Sequence, residues 1–337
     1  MYSPSLDFLR QTISGEINNF KVRKIKDNAG PSDVFRVSLD YSGGYPGPSS
    51  VILKRIGPHW PDDAHIQDRE VRFYVDLLPH IGLNHPYLYY AGMDGEASDR
   101  IILLEDLGAR YRFPPPVYIW QPDEVRCFLR AYACLHVRGR ELLPAREERE
   151  WMLTYQCPGW NQDDILRQIS DLVTRGIWEA RPGVEQLVAR ALDNLSLFDD
   201  CPVTVLHHDV YPPNIGLPLD LDQEAVLIDW EMGGWGWAEI DLAYLFLQPF
   251  GSADATERQE ILAEYWLHRQ AVEGHIPPAE ERREIQWLAE ALFALSQVRV
   301  AHKVAETPYP TGSAPQAYWQ AMFVVLQRKL KELSESI

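Results

Sequence analysis

Basic charge is scarce in this chain. Across 337 residues Lys and Arg number 32 against 49 Asp and Glu, a formal net charge of −17. A nucleic-acid partner needs a basic stripe, so that class is excluded. The imbalance is uneven, with −2 over residues 1–100 and −15 over residues 101–337. That asymmetry suits either plain solubility or a cleft that attracts a cationic substrate. Cysteine is sparse as well. Cys127, Cys134, Cys157 and Cys201 form no CxxC and no paired metal spacing, which argues against a disulfide scaffold or zinc module and fits a reducing compartment. No apolar run approaches the ~18 residues of a membrane span. The opening MYSPSLDFLRQTISG has neither a basic leader region nor an apolar core. A soluble cytoplasmic protein without a membrane partner is expected. No pattern speaks to its oligomeric state, and there is no internal repeat or low-complexity tail.

What is present is an ordinary globular composition, 46% hydrophobic and 24% charged, long enough for two lobes with their own cores. Two stretches stand out. In VTVLHHDVYPPN, Val203, Val205 and Leu206 lead into His207-His208-Asp209, and Pro212 and Pro213 hold a loop that ends in Asn214. In VLIDWE, Val226, Leu227 and Ile228 deliver Asp229 to the end of a buried strand. Two such strands ending side by side place Asp209, Asn214 and Asp229 around one volume. An oxygen-rich site with one carboxylate free to act as a base suits Mg²⁺ and a phosphorylated substrate.

His207-x-Asp209-x4-Asn214 resembles the catalytic loop of the protein kinase-like superfamily, and Asp229 resembles its metal-binding Asp. Trp230-Glu231 after that Asp, with Ile240-Asp241-Leu242-Ala243 further on, is closer to aminoglycoside phosphotransferases and choline kinases than to protein kinases. A glycine directly after Asp229 and an Ala-Pro-Glu segment are both missing. The resemblance implies an α+β, bilobal fold with an N-terminal antiparallel sheet and helix and a larger, mainly helical C-terminal lobe. It implies ATP and Mg²⁺ as cofactors and the hydroxyl of a small molecule, amino-bearing or cationic, as acceptor. A choline or sugar acceptor and a catalytically silent nucleotide-binding protein are the alternatives.

Within residues 1–106, strands are expected over Lys21 to Lys26, Val34 to Tyr41 and Ser49 to Ile56, after a short helix from Leu6 to Ile17. Two more strands follow, over Tyr87 to Ala91 and Arg100 to Leu104, around the turn at Asp94-Gly95. The turn at Gly30 and Ser32 reads either as a hairpin or as a phosphate loop whose N–H groups and hydroxyl donate to phosphate. Lys54 follows Val51-Ile52-Leu53, an expensive place for an unpaired ammonium. The resemblance makes Lys54 the phosphate-contacting lysine and Glu70, on a helix starting near Ala64, its partner. It also makes the backbone of Glu105, Asp106 and Leu107 the adenine-binding hinge, where the lobe boundary falls.

Residues 107–337 form the expected catalytic and acceptor-binding lobe, with a helical insertion at 140–200. Asp123 to Arg138 has helical spacing, and His136 near its end reads as a packed residue. The resemblance gives Asp209 the role of catalytic base and Asn214 and Asp229 that of metal ligands. His207 reads as architectural, and Glu231 as either a second metal ligand or a solvated neighbour. Asp241 reads as a tie to the catalytic loop or as a helix cap. His208 and Pro213 stand where many such enzymes have Gly. Trp151, Trp160, Trp178, Trp235 and Trp237 serve either as stacking platforms for the acceptor or as core. Helices are expected over Ala253 to His275, Pro278 to Glu306 and Ala314 to Ser334, the last ending in Arg328, Lys329 and Lys331.

Overall fold

The computed structural model describes residues 3–26, 32–44, 47–57, 65–93, 99–116, 118–154, 161–179, 182–198, 201–247, 255–274, 276–306, 311 and 313–336. The expected turns at Gly30, at Asp94-Gly95 and at Cys157-Pro158-Gly159 lie outside these residues, as do Trp160, Arg181 and the Pro308 to Pro310 break.

Helix α1 (Leu6–Thr12) starts at Ser5, whose Oγ accepts the Phe8 N–H at 3.1 Å. It ends short of the expected Ile17, since Ile13 is already extended at φ −115°, ψ 130°, and Gly15 follows at φ 104°. Ile17 instead opens β1 (Ile17–Lys26). With β2 (Ser32–Tyr41), β3 (Ser50–Ile56), β4 (Leu88–Met93) and β5 (Arg100–Glu105) it forms a five-stranded antiparallel sheet, ordered β1-β2-β3-β5-β4.

The side-chain period of two divides the sheet cleanly. Ile101 and Leu103 of β5 join Val51 and Leu53 of β3, Phe35 and Val37 of β2, and Leu9 of α1 in one buried cluster. Ile102 and Leu104 point the other way. They meet α2 (Ile66–Arg72), the wide π turn Phe73–Leu77 and α3 (Leu78–Ile81), which Gly82 ends at φ 79°. That second cluster continues past residue 106 through Phe128, Tyr132, Leu227 and Trp230. The sheet is thereby seated on the helical part by a continuous apolar contact.

After Tyr111–Arg112 (β6), α4 (Pro122–Leu142) opens with a reciprocal capping box between Gln121 and Glu124 and a Pro in its first turn. Its stripe of Val125, Phe128, Leu129, Tyr132 and Leu135 is buried, as the spacing requires. Short strands then frame the loops that matter: β7 (Leu153–Thr154), β8 (Thr204–Leu206), β9 (Ile215–Pro218), β10 (Val226–Leu227) and β11 (Gly234–Gly236). Strand β11 pairs with β7 and β8, and β9 pairs with β10 and β6.

Helices α5 (Gln162–Thr174), α6 (Val184–Asp193), α7 (Ala238–Phe246), α9 (Ala279–Glu306) and α10 (Ala314–Glu335) share a further core. α8 (Ala255–Glu273) packs on α4. Lys329, expected only to suit the helix dipole, is buried in an ion pair with Glu290. Among the described residues no helix is long and apolar enough to cross a membrane.

Candidate active site

Lys54 leaves β3 on the face toward α2, and its ammonium is almost fully enclosed. Its Nζ lies 2.6 Å from Glu70 Oε2 and 3.0 Å from Glu231 Oε2, and is paired with Asp229 Oδ1. Burial alone would lower its pKa. The charges of Asp229, Glu231 and Glu70 overcome this and hold it well above the ordinary lysine value. Glu70 moves up to about 7, driven first by burial and further by Asp229 and Glu231, with Lys54 opposing. Three carboxylates against one ammonium leave an excess of negative charge.

The neighbouring arginine fixes this arrangement. Arg69 is buried, with Nε donating to the Trp151 carbonyl at 2.8 Å and Nη1 to the Glu231 carbonyl at 2.7 Å. One turn on, Phe73 stacks on Trp230 with centroids 4.9 Å apart. A Cβ at Gly233 would overlap the Phe73 ring, so glycine permits this close approach. Helix α2 is thus bolted to the turn that follows Asp229, and Glu70 is delivered to Lys54.

Asp229 itself sits in the left-handed region at φ 67°, ψ 60°, which turns the chain from β10 into Trp230–Met232. The Ile228 N–H donates to the Asn214 carbonyl at 3.0 Å, so the ends of β9 and β10 bring Asn214 beside the Asp229 turn. Asn214 Nδ2 donates to Asp209 Oδ2 at 2.7 Å. Asp209, Asn214, Asp229 and Lys54 are therefore gathered into one region. Glu231, weighed as either ligand or bystander, belongs to a carboxylate set with Glu70 and Asp229 whose oxygens lie within 4.8 Å of one another.

The backbone of the loop from His207 to Asn214 hangs from α7. Asp241 accepts the His207 N–H on Oδ2 at 2.9 Å and the His208 N–H on Oδ1 at 3.0 Å. It lies inside α7, after the cap residue Trp237, so the tie to the loop and not a cap is what it makes. Burial would raise its pKa. The hydrogen bond and charge of His136, the charge of His208 and the His207 N–H bring it below the usual carboxylate range. His136 is packed as expected, bonded to Tyr265 Oη at 2.7 Å and facing Asp241. His207 takes the Asp209 N–H on Nδ1 and so donates from Nε2 to the Ile228 carbonyl at 2.9 Å, an architectural role. His208 has φ 61°, a left-handed backbone that favours glycine.

Of the other candidates, Ser32 reaches this cluster, whereas Glu105, Asp106 and Leu107 stand apart from it. Gly30 is outside the described residues. Ser32 is buried at the start of β2 and its hydroxyl donates to Glu231 Oε2 at 3.3 Å. Glu105 ends β5, its N–H donating to the Tyr87 carbonyl at 2.9 Å. Asp106 accepts from Ser50 Oγ at 2.6 Å and pairs with Arg36, also at 2.6 Å. Leu107 is buried against Tyr111 and Val226. Lys54 pairs with Ile102 across the sheet and Val51 with Glu105, which sets these residues roughly 10 Å along the strand from Lys54.

Trp151, Trp178, Trp235 and Trp237 are 4–7% exposed and belong to the core, not to an acceptor platform. Beside the acidic end of the loop, Tyr244 donates to Asp209 Oδ1 at 2.9 Å, and Tyr211 of the loop stands edge-on to Tyr318 with centroids 5.3 Å apart. Sequence reasoning missed both contacts, since α7 and α10 reach the loop only through tertiary packing.

A family model described as "Phosphotransferase enzyme family" matches residues 32–275. None of the curated proteins matches the chain. Among solved structures, a Ralstonia eutropha protein described as a candidate aminoglycoside phosphotransferase shares 14% identity with a TM-score of 0.64, over 98% of this chain and 97% of that one. An amicoumacin kinase in complex with AMP-PNP and Ca²⁺ shares 13% at 0.60, over 99% and 94%. A choline kinase from Streptococcus pneumoniae shares 16% at 0.52, over 96% and 95%. At these identities the structures speak for the fold, a bilobal α+β kinase-like one, and the family model carries the kinship. The chain belongs to the phosphotransferase enzyme family.

Proposed function

We propose that this phosphotransferase moves the γ-phosphoryl group of ATP to a hydroxyl of a small molecule, amino-bearing or cationic, with Mg²⁺. The observation that carries the reading is Lys54, clasped by Glu70, Asp229 and Glu231 beside Asp209 and Asn214. The donor set fits a hard divalent cation. It offers carboxylate and carboxamide oxygens and an excess of negative charge over the one ammonium. Asp229 and Asn214, through its carboxamide oxygen, would hold the ion, with Glu231 as a further ligand. When bound, the cation supplies charge neutralisation on the phosphates.

The chain's own residues do the rest. Lys54 steadies the phosphates, and Glu70 keeps its ammonium in place. Residues 1–106 bind the nucleotide, with adenine against the backbone of Glu105, Asp106 and Leu107. Residues 107–337 supply Asp209 and the acceptor pocket. Asp209 orients the acceptor hydroxyl in line with the γ-phosphorus and takes its proton as the new P–O bond forms and ADP leaves. Similar folds that act on amicoumacin, spectinomycin and choline support a small acceptor. The net charge of −15 over residues 101–337 favours a cationic one.

Calorimetric titration of ATP, with and without Mg²⁺, into wild type and Asp229→Ala tests the site. Mg²⁺-dependent binding lost in the variant is expected. Binding indifferent to Mg²⁺ and to Asp229 would point to a silent nucleotide-binding protein instead. Once an acceptor is found by screening, Asp209→Asn should keep nucleotide binding and lose about 10²–10⁴-fold in kcat.

A further inference from the structure

Helix α2 carries two charged side chains in succession, and they face different ways. Glu70 turns to Lys54, 2.6 Å away. Arg69, about 100° round the helix, turns to the segments beyond residue 106. Its Nε donates to the Trp151 carbonyl at 2.8 Å and its Nη1 to the Glu231 carbonyl at 2.7 Å. Phe73, one turn on and on the same face, stacks on Trp230 and stands edge-on to Trp151, with centroids 4.9 and 5.5 Å apart. The two segments held in this way meet in one small sheet. Trp151 leads into β7 and the turn at Glu231 leads into β11. Gly234 of β11 pairs with Leu153 of β7 on one side and with Leu206 of β8 on the other. Strand β8 runs directly into His207-His208-Asp209. The Arg69 face of α2 is thereby tied to the strand ahead of Asp209.

We infer that Arg69 is a positioning residue of the transfer site: by tying α2 to the β7-β11-β8 sheet it fixes the helix in rotation and sets the Lys54–Glu70 pair in place relative to Asp209 before a nucleotide arrives. The inference rests on the reading of Lys54 as the residue that steadies the phosphates. A guanidinium at 1% exposure is a costly way to fasten a helix. Apolar side chains of similar volume often give equal or greater stability, and Phe73 already supplies packing of that kind on the same face. What arginine adds is geometry. Its nitrogens lie fixed in one plane, so two carbonyls on separate segments hold it at a set angle. A lysine keeps the charge but offers one nitrogen on a flexible stem, and leaves that angle free. The angle matters because Glu70 is the next residue. A rotation of α2 about its own axis would carry that carboxylate off Lys54 and move the ammonium away from the phosphates.

The test compares Arg69→Lys with Phe73→Leu, which loosens the same face of α2 by packing and leaves both hydrogen bonds of Arg69. Wild type and variants are titrated by calorimetry with MgATP and with adenosine, which lacks the phosphates that Lys54 would meet. In Arg69→Lys the adenosine affinity should stay at the wild-type value. MgATP should bind about tenfold more weakly, the loss of one hydrogen bond from a charged group. With the acceptor found by screening, kcat should fall about 10²-fold, as a displacement of about 1 Å brings. Phe73→Leu should melt at a lower temperature and keep both affinities. Wild-type MgATP affinity and kcat in Arg69→Lys would overturn the inference, whatever its melting temperature. So would an equal loss of adenosine and MgATP affinity, which describes a general loosening of the sheet. A Phe73→Leu variant that loses MgATP affinity but keeps adenosine would overturn it as well, since packing and not the guanidinium would then set the angle. That second variant decides even where Arg69→Lys does not fold. A wild type that binds MgATP no more tightly than adenosine would sink the reading of Lys54 instead, a failure told apart because it shows in the unaltered protein.

Discussion

Three imidazoles, His136, His207 and His208, lie buried around the catalytic loop, at 0%, 0% and 3% exposure. Burial drives each toward its neutral form, and in His208 it brings the pKa down to about 4, with His207 and Arg69 adding to it and Asp241 opposing. In the unfolded chain the same groups titrate near 6.5, so acid protonates the unfolded state first. The stability they contribute is full above about pH 6.5 and is lost as pH falls toward 4. For His208 alone that loss is about 3 kcal/mol. His208→Asn should lessen it, because Asn tolerates the left-handed backbone at this position and carries no titratable ring. Urea midpoints at pH 7 and pH 4.5 are the measurement. The gap between them should be narrower in the variant, and a gap unchanged from wild type would mean that His208 is not the group that acid attacks.

At the scale of the element, α7 is the part on which the site depends most. Asp241 satisfies two loop N–H groups and faces His136, all within the core. Asp241→Ala leaves both N–H groups without that acceptor, and each buried orphan costs ~1–3 kcal/mol. A loss of about 2–6 kcal/mol in unfolding free energy is expected, together with loss of turnover. Retention of stability within about 0.5 kcal/mol, the range of ordinary surface changes, would show that the loop has another anchor. Here the sequence was partly legible. The order His-x-Asp-x4-Asn, then Asp, then Asp241, is local information, because each residue lies within a few positions of the end of a short strand or the start of a helix. Lys54 could be read for the same reason, an ammonium directly after three apolar strand residues. The contacts of Tyr244, of Arg69 with the 231 turn, and of Ser32 with Glu231 could not, since their partners lie 35 to 199 residues away and meet only through packing. The tryptophans failed for a related cause. An indole suits a core and a binding face equally, and only the burial of Trp151, Trp178, Trp235 and Trp237 decides for the core.

At the scale of the whole molecule, the uneven charge becomes a statement about rates. Residues 101–337 carry −15 while the sheet-bearing first hundred residues carry −2, so the field of the protein is set by the part that holds Asp209. A cationic acceptor approaching that part gains from the field, and a neutral one does not. Salt screens the field with a Debye length of about 10 Å at 0.1 M, but it leaves the enclosed Lys54 cluster nearly untouched. The two effects therefore separate. Between low and roughly 0.2 M salt, kcat/KM for an amino-bearing acceptor should fall by about tenfold. Over the same range kcat should hold, since Lys54 and Glu70 are enclosed and little screened. A neutral hydroxyl acceptor measured alongside should show a flat kcat/KM. If both acceptors respond equally, the acidic surface serves solubility alone and lends no support to a cationic acceptor.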